Sequence, residues 1–327
     1  MRAPDFWYRR DAVLTSRLLA PVAKTYGLVA GLRMRSVRSW RAPVPVICVG
    51  NLVAGGAGKT PVAMDIGQRL AARGFDAHFL TRGYGGTASG PTAVDAARHS
   101  AHDVGDEPLL LARVGPTWVA RDRAAGARAA ISAGADVLVM DDGFQNPAIV
   151  KDLALIVVDG RRGFGNGRVL PAGPLREPVE HGLKRADAVA IIGEDTAGVS
   201  ARVSPRPVLR ARLAPLDLPA ALAKGRPVIA FAGIADPDKF FRTVQGLGCR
   251  LVGSYPFPDH HPYAVGDLAP ILASADRQSA IVLTTAKDHV RVPQEFANRV
   301  TVLPVVLVWD NEADIEALLE AALRHGR

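Results

Sequence analysis

Apolar, β-branched runs alternate along the chain with segments whose apolar residues recur at helical spacing. The runs Val44–Val49, Ala77–Leu80, Thr117–Ala120, Val137–Met140, Leu153–Val158 and Ala188–Ile192 predict buried strands. Between them, Val62–Arg73, Glu107–Val114, Arg121–Ala133 and a short stretch near Glu180–Arg185 predict helices. Such alternation argues for an α/β fold, a mostly parallel sheet flanked by helices and joined by right-handed crossovers. The pattern changes over Ala197–Arg226, where Pro205, Pro207, Pro215 and Pro219 punctuate alternating residues, and this predicts an extended connector. A second, smaller α/β unit follows. Its expected strands are Val228–Ala232, Arg250–Ser254, Ala280–Thr284 and Val300–Val308, and its helices Asp238–Leu247, Val265–Ala275 and Glu312–Leu323. The expected organisation is an N-terminal segment over 1–40, a first domain over 41–200, a linker over 201–226 and a second domain over 227–327.

The N-terminal segment has its own pattern. Phe6, Trp7 and Tyr8 are followed by Leu14, Leu18 and Val22 at helical spacing, with Leu19, Val29 and Leu32 adding apolar surface. Arg9, Arg10, Arg17, Lys24, Arg33, Arg35, Arg38 and Arg41 are interleaved. An apolar stripe with aromatic anchors and basic residues fits a helix lying on an anionic membrane. It equally fits a helix packed on the domain with its arginines in solvent.

Composition narrows the picture modestly. The 327 residues suggest two domains, and 48% hydrophobic content supplies ordinary cores. Cys48 and Cys249 lie far apart in apolar surroundings, which argues for a reduced compartment without a disulfide framework or a cysteine metal site. A net charge of +8 suits nucleic acid, an anionic membrane or phosphorylated substrates and does not choose among them. No stretch reaches the roughly 20 apolar residues that span a bilayer, and no secretory signal stands out.

The chemistry gathers where predicted strands end. Gly55-Gly56-Ala57-Gly58-Lys59-Thr60 follows the first strand and opens a helix. This is the phosphate-cradling arrangement of P-loop proteins. Loop N–H groups and the helix dipole favour an anion there. Lys59 can reach the β- and γ-phosphates of a nucleotide, and the Thr60 hydroxyl can ligate Mg²⁺. The strict pattern wants a glycine where Val53 stands. Asp141 and Asp142 end another strand and have the character of a metal-binding acidic pair, or else form a turn before Gly143. Asp106 and Glu107 open a helix, either as ordinary capping acids or as a base and a metal ligand. Asp259-His260-His261 lies in a loop of the second unit, where histidine suits acid–base work and no third ligand marks a zinc site. Arg82-Gly83-Tyr84 and the glycine-rich run Asp159–Gly167 follow strands and can bind an anionic substrate. Thr284–Asp288 ends a strand of the second unit without an assigned role.

Together these segments resemble one family, the tetraacyldisaccharide 4′-kinases of Gram-negative bacteria. The resemblance rests on Val49–Leu52 with Gly55–Pro61, Thr81–Gly85, Gly105–Pro108, Asp141–Gln145, Phe164–Gly167, Leu170–Glu177, Asp259-His260 and Thr284–Asp288. These span nearly the whole chain in the expected order, and the family shares the departure at Val53. Asn146 stands where the family pattern has histidine. The resemblance implies a P-loop fold of two α/β domains joined by a short β linker, with the active site in the cleft and an N-terminal membrane-docking helix. It implies transfer of the ATP γ-phosphate to the 4′-hydroxyl of an acylated glucosamine disaccharide 1-phosphate, at the cytoplasmic face of the inner membrane. It further implies Asp106 as base with His260 tuning it, and Lys59 as the third member of the catalytic set. Gly55, Gly56, Ala57, Gly58, Lys59 and Thr60 would hold ATP, and Thr60, Asp141, Asp142 and Glu107 would hold Mg²⁺. Arg82, Tyr84, Arg123 and Arg176 would meet the substrate. The competing readings are a P-loop kinase or regulatory ATPase acting on a soluble substrate or partner, and a basic nucleic-acid-binding module. No recognition motif supports nucleic acid as a partner.

Overall fold

The computed structural model describes residues 4–9, 13–216 and 225–325. Its strands are Val46–Gly50 (β1), Ala77–Thr81 (β2), Thr92–Ala93 (β3), Thr117–Val119 (β4), Val137–Asp141 (β5), Leu153–Asp159 (β6), Ala188–Ile192 (β7), Val208–Pro215 (β8), Pro227–Ala232 (β9), Arg250–Pro256 (β10), Ile281–Thr284 (β11), Val300–Val302 (β12) and Val305–Trp309 (β13). They form two sheets, ordered β13-β8-β7-β6-β1-β5-β2-β4-β3 and β10-β9-β11-β12. Within the larger sheet only β13 and β3, at the two edges, run antiparallel to their neighbours.

Strands β1, β2, β5 and β7 are buried along their whole length, because helices cover both faces of a parallel sheet. Small residues let those helices come close. A methyl at Gly67 of the helix Lys59–Ala72 would collide with the ring of Phe79 on β2. In the helix Arg123–Ser132 the buried set is Arg123, Gly126, Ala127 and Ala130. The chain steps from β1 outward to β2 and β4, returns to β5, and then builds β6, β7 and β8 on the other side of β1. The order therefore reverses at β1, and the crevice outside the carboxyl ends at such a point is where open α/β sheets bind ligands.

Two expectations need correction. The stretch read as an extended connector holds the helix Val199–Val203 and the strand β8, which pairs parallel with β7. Leu209 and Ala211 alternate into the core, while Pro207 precedes the strand and Pro215 closes it, positions where proline is tolerated. The run Val300–Val308 is not one strand. Leu303-Pro304 divides it, and β13 crosses back to pair antiparallel with β8. The helix Glu312–His325 follows it and buries Ile315, Leu319 and Ala322 in the core of the larger sheet. That sheet thus takes residues 208–215 and 305–309 from stretches expected to be linker and second domain. Arg10 of the N-terminal basic set and Pro219 of the connector lie outside the described residues.

The N-terminal segment forms a 3-10 turn, Asp5–Trp7, and two helices, Val13–Leu18 and Ala20–Ser36. Trp7 donates its indole N–H to the Pro171 carbonyl at 3.1 Å, and Asn166 donates to the Ser16 hydroxyl at 3.1 Å. The segment is tied to the loop after β6, yet Leu14 and Leu18 are each 73% exposed. Among the described residues, no helix is long and apolar enough to cross a membrane. Cys48 and Cys249 are buried free thiols, and burial pushes Cys48 up to about 11.

The C-terminal return bolts onto the phosphate-loop helix. Trp309, 3% exposed, donates its indole N–H to Asp65 at 2.7 Å. Asp65 pairs with Arg69 at 2.8 Å, and Arg69 reaches Glu316 at 2.6 Å. Trp309→Ala is expected to destabilise the protein by about 3–5 kcal/mol, the usual cost of emptying a buried tryptophan site. A urea titration showing an unchanged midpoint would contradict this.

Candidate active site

The loop after β1 is shaped for an anion by its glycines. Gly55 (φ 120°) and Gly58 (φ 88°) lie in conformations that other residues rarely adopt. The helix begins at Lys59 immediately after Gly58. Val53 is 8% exposed and bridges to Leu175, so a core contact occupies the place of the strict motif's first glycine. Lys59 Nζ stands 3.6 Å from Asp142 Oδ1.

Asp141 and Asp142 are neighbours with opposite environments. Asp141 ends β5, is 1% exposed, and its Oδ2 accepts the Thr60 hydroxyl at 2.9 Å. Its Oδ1 has no hydrogen-bond partner among the described residues. Burial pushes this carboxyl up to about 7, the charge of Glu107 adds to the rise, and Lys59 opposes it. Asp142 turns left-handed (φ 55°) and accepts from Arg176 at 3.0 and 3.2 Å. Burial would raise Asp142, but Lys59 and Arg176 outweigh it and hold the carboxyl below its usual range. Asp142 is therefore supplied with cations, and Asp141 is not.

An orphaned, desolvated carboxylate oxygen beside a threonine hydroxyl fits a hard divalent cation. Among the described residues no group of three or more His, Cys, Asp or Glu could hold a metal by itself. That agrees with Mg²⁺, which usually takes one or two carboxylates and completes its shell with water and substrate phosphates.

Across the cleft the smaller sheet turns its own carboxyl edge toward this one. Asp106, 3% exposed, begins the helix Asp106–Leu111, and its Oδ1 accepts from the Glu107 amide at 3.0 Å. Its Oδ2 lies 2.9 Å from His260 Nδ1 and 3.6 Å from Arg291 Nε. Gly105 before it (φ 92°) must be glycine, since a Cβ would meet the Tyr84 carbonyl at 2.6 Å. His260 is itself left-handed (φ 58°), held by its own N–H donating to the Gly233 carbonyl at 3.1 Å. Backbone strain of this kind gathers at functional sites. Burial would raise the Asp106 carboxyl, but the His260 hydrogen bond and the charges of Lys287 and Arg291 outweigh it and lower it. His261 points elsewhere: it bonds Asp267 at 3.0 Å and stacks on Phe257. Of the two adjacent histidines, only His260 reaches the carboxylate.

The four residues expected at the substrate separate into two kinds. Arg82 and Tyr84 are exposed, and Tyr84 sets its ring edge-on to His260 at 5.4 Å. Arg176 is committed to Asp142. Arg123 is 3% exposed and donates to the Ala120 carbonyl, and burial pulls its guanidinium down to about 10. It is a buried charge within the electrostatic reach of Asp142. Asn146, where a histidine was expected, accepts from the Ala148 amide at 2.9 Å and so closes a local turn.

Several site residues escaped the sequence. Gln145 links Asn51, Glu177 and Arg176 behind Asp142, with contacts of 2.8, 3.2 and 3.3 Å. Arg291, 6% exposed on its side chain, holds the His260 loop through the carbonyls of Gly233 and His261, each at 3.1 Å. Lys287 had no assigned role, and its ammonium faces Glu107 at 3.5 Å and Asp259 at 3.8 Å. Lys287 lies on the short helix Ala286–His289 and Arg291 in the turn just after it, and no sequence pattern marked either. Beside these elements lies a cleft of about 730 Å³ between the N-terminal segment, the loop after β6 and residues 235–238.

Comparison with known proteins identifies the family. The family profile described as Tetraacyldisaccharide-1-P 4'-kinase matches residues 15–324. A tetraacyldisaccharide 4'-kinase of Rhodospirillum centenum is 55% identical over 327 residues, covering 99% of this chain and 97% of that protein. One from Gluconacetobacter diazotrophicus is 56% identical over 321 residues, covering 98% of each. A crystal structure of LpxK from Aquifex aeolicus in complex with ATP superposes with a TM-score of 0.77 at 27% identity, covering 94% of this chain and 99% of that one.

The Asp141 environment has a testable stability consequence. A carboxyl whose pKa rises on folding from 3.8 to about 7 costs nothing below about pH 4, and the cost grows as pH rises to 7. Asp141→Asn should therefore raise the melting temperature of the ligand-free protein, and by more at pH 8 than at pH 5. Calorimetry showing an equal change at both values, or a loss at pH 8, would contradict the assignment.

Proposed function

The chain belongs to the tetraacyldisaccharide-1-P 4'-kinase family, and from that premise we propose which of its residues carry the reaction. It is an ATP-dependent phosphotransferase of lipid A biosynthesis, moving the γ-phosphate to the 4'-hydroxyl of a tetraacyldisaccharide 1-phosphate. The observation that carries the residue assignment is the 2.9 Å contact between Asp106 and His260, which joins the two sheets beside the phosphate loop.

Lys59 and the loop N–H groups at Gly55, Gly56, Ala57, Gly58 and Thr60 hold the β- and γ-phosphates. Asp141, Thr60 and Glu107 are the residues that would hold Mg²⁺, which when bound neutralises charge on those phosphates. Asp142 contributes by orienting Lys59 and Arg176, to which it is already bound. Asp106 accepts the proton of the attacking 4'-hydroxyl. Its lowered pKa keeps it ionised at neutral pH, and a loose transition state needs that proton to leave only late. His260 supports Asp106 from the opposite unit. Tyr84 and Arg82, on the open side, meet the sugar.

The N-terminal helices supply the membrane contact. What supports this is the exposure of Leu14, Leu18, Val22, Leu28, Val29 and Leu32 together with exposed Arg17 and Lys24. Apolar side chains able to enter the interface and cations able to face anionic headgroups support a position at the cytoplasmic face of the inner membrane.

Three outcomes follow. Labelled phosphate from γ-labelled ATP appears on the disaccharide lipid with the native protein and not with Lys59→Ala. His260→Ala lowers kcat by about 10²-fold, the lower range for a supported acid–base step, with ATP affinity unchanged; undiminished turnover would remove His260 from the reaction. Leu14→Glu with Leu18→Glu reduces sedimentation with phosphatidylglycerol vesicles, and unchanged sedimentation would sink the docking role.

A further inference from the structure

Lys287 is fixed before its side chain begins. The short helix Ala286–His289 is capped by Thr285, whose hydroxyl oxygen accepts the Asp288 amide at 3.0 Å. Asp288 has no exposed surface and accepts from the Gly233 amide and the Tyr263 hydroxyl, each at 2.8 Å, and from Arg291 at 2.7 Å. This buried anchor aims the Lys287 side chain into the cleft. Its Nζ lies 3.2 Å from His260 Nε2 and 3.5 Å from Glu107 Oε1.

An ammonium has three protons and no lone pair, so it can only donate. His260 Nε2 must then offer its lone pair and carry no hydrogen. The proton of the neutral ring sits on Nδ1, where it is donated to Asp106 Oδ2 at 2.9 Å. We infer that Lys287 is a positioning residue that fixes His260 as the neutral Nδ1–H tautomer. Asp106 accepts on one side, Lys287 donates on the other, and Tyr84 stands edge-on; Asp259, which would favour a proton on Nε2, is 3.8 Å away, beyond hydrogen-bond reach, and faces the Lys287 ammonium at 3.8 Å. Arg291 and Glu107 act at one remove, on Asp106 and Lys287.

The consequence is chemical. A neutral donor orients Asp106 without adding a full positive charge against it. An imidazolium in the same place would strengthen its hold on the carboxylate and weaken that carboxylate as a base. Lys287 also spans the cleft to Glu107, so the tautomer is set only when the two sheets are together. This rests on Asp106 acting as the base, as proposed above.

The test is histidine NMR on the full-length protein, with ¹³C/¹⁵N-labelled histidine and His260→Ala to assign the signal. The native spectrum should carry the Nδ1–H signature at neutral pH. Lys287→Met should shift it toward the Nε2–H or doubly protonated form, with kcat about 10-fold lower, one hydrogen bond's worth. The KM for ATP should be unchanged, and Lys287→Arg should restore both tautomer and rate. A native Nε2–H signature, or Lys287→Met leaving the native signature intact, overturns the inference. A tautomer that changes as expected with no change in rate leaves the inference standing and overturns instead the role of Asp106 and His260 in catalysis.

Discussion

The closed arrangement of the two sheets depends on one cluster of charges. Asp106 and Glu107 come from the larger unit; His260, Lys287 and Arg291 come from the smaller. Neither set could be buried alone. Asp106 is 3% exposed, and an unpaired buried charge costs several kcal/mol. Brought together, the carboxylates and cations satisfy one another, and, on the proposal that Asp106 is the base, the same contacts that hold the units in apposition orient it. The contact is thus conditional on closure. Opening the cleft exposes Asp106 to water and removes its partner. A site assembled this way excludes solvent at the moment its base is oriented, which suits a reaction in which water competes with a sugar hydroxyl for ATP.

The carboxyl edge of the larger sheet solves a second problem, two adjacent aspartates with different duties. Asp141 continues the strand, and among the described residues its side chain's one hydrogen bond is from Thr60. Asp142 leaves the strand through a left-handed turn and swings onto Arg176 and Lys59. One backbone reversal separates a carboxylate starved of ion-pair partners among the described residues from one saturated with them. When environments push two like groups apart in this way, their roles separate too. The starved oxygen is the one a cation can complete. The saturated one sets the direction of Lys59.

How legible this was varied with the range of the interaction. The phosphate loop, the strand before it and the helix after it are local, so glycine spacing and apolar runs showed them. Strand pairing is not local. Proline content suggested an extended connector around Val208, and alternating Leu209 and Ala211 instead make it a strand of the larger sheet. Pro304 ended one strand and released the next to the other sheet, a choice made by which edge lay open. The site divides in the same way. Asp106 and His260 carried marks as residue types, but 154 positions separate them and no pattern in either segment states that they touch. Arg291 was invisible because its work, holding the His260 loop by two backbone carbonyls, has no sequence signature. The burial of Arg123 was not legible, because an arginine after a strand looks the same whether it faces solvent or the interior.

On the membrane reading, the N-terminal helices are more than a tether. They are joined to the site by short contacts: Trp7 to Pro171, and Ser16 through Asn166 to the Ala172 carbonyl. Pro171 and Ala172 stand a few residues before Arg176, which grips Asp142. An apolar face set in the lipid interface is therefore linked through one loop to the group that orients Lys59. The acceptor is an amphiphile whose sugar cannot travel far from its acyl chains. Fixing the depth of Leu14 and Leu18 in the interface fixes the height of the phosphate loop above it. The enzyme then needs to search only two dimensions for its substrate, and the short reach of Asp106 into the cleft suffices to find the hydroxyl.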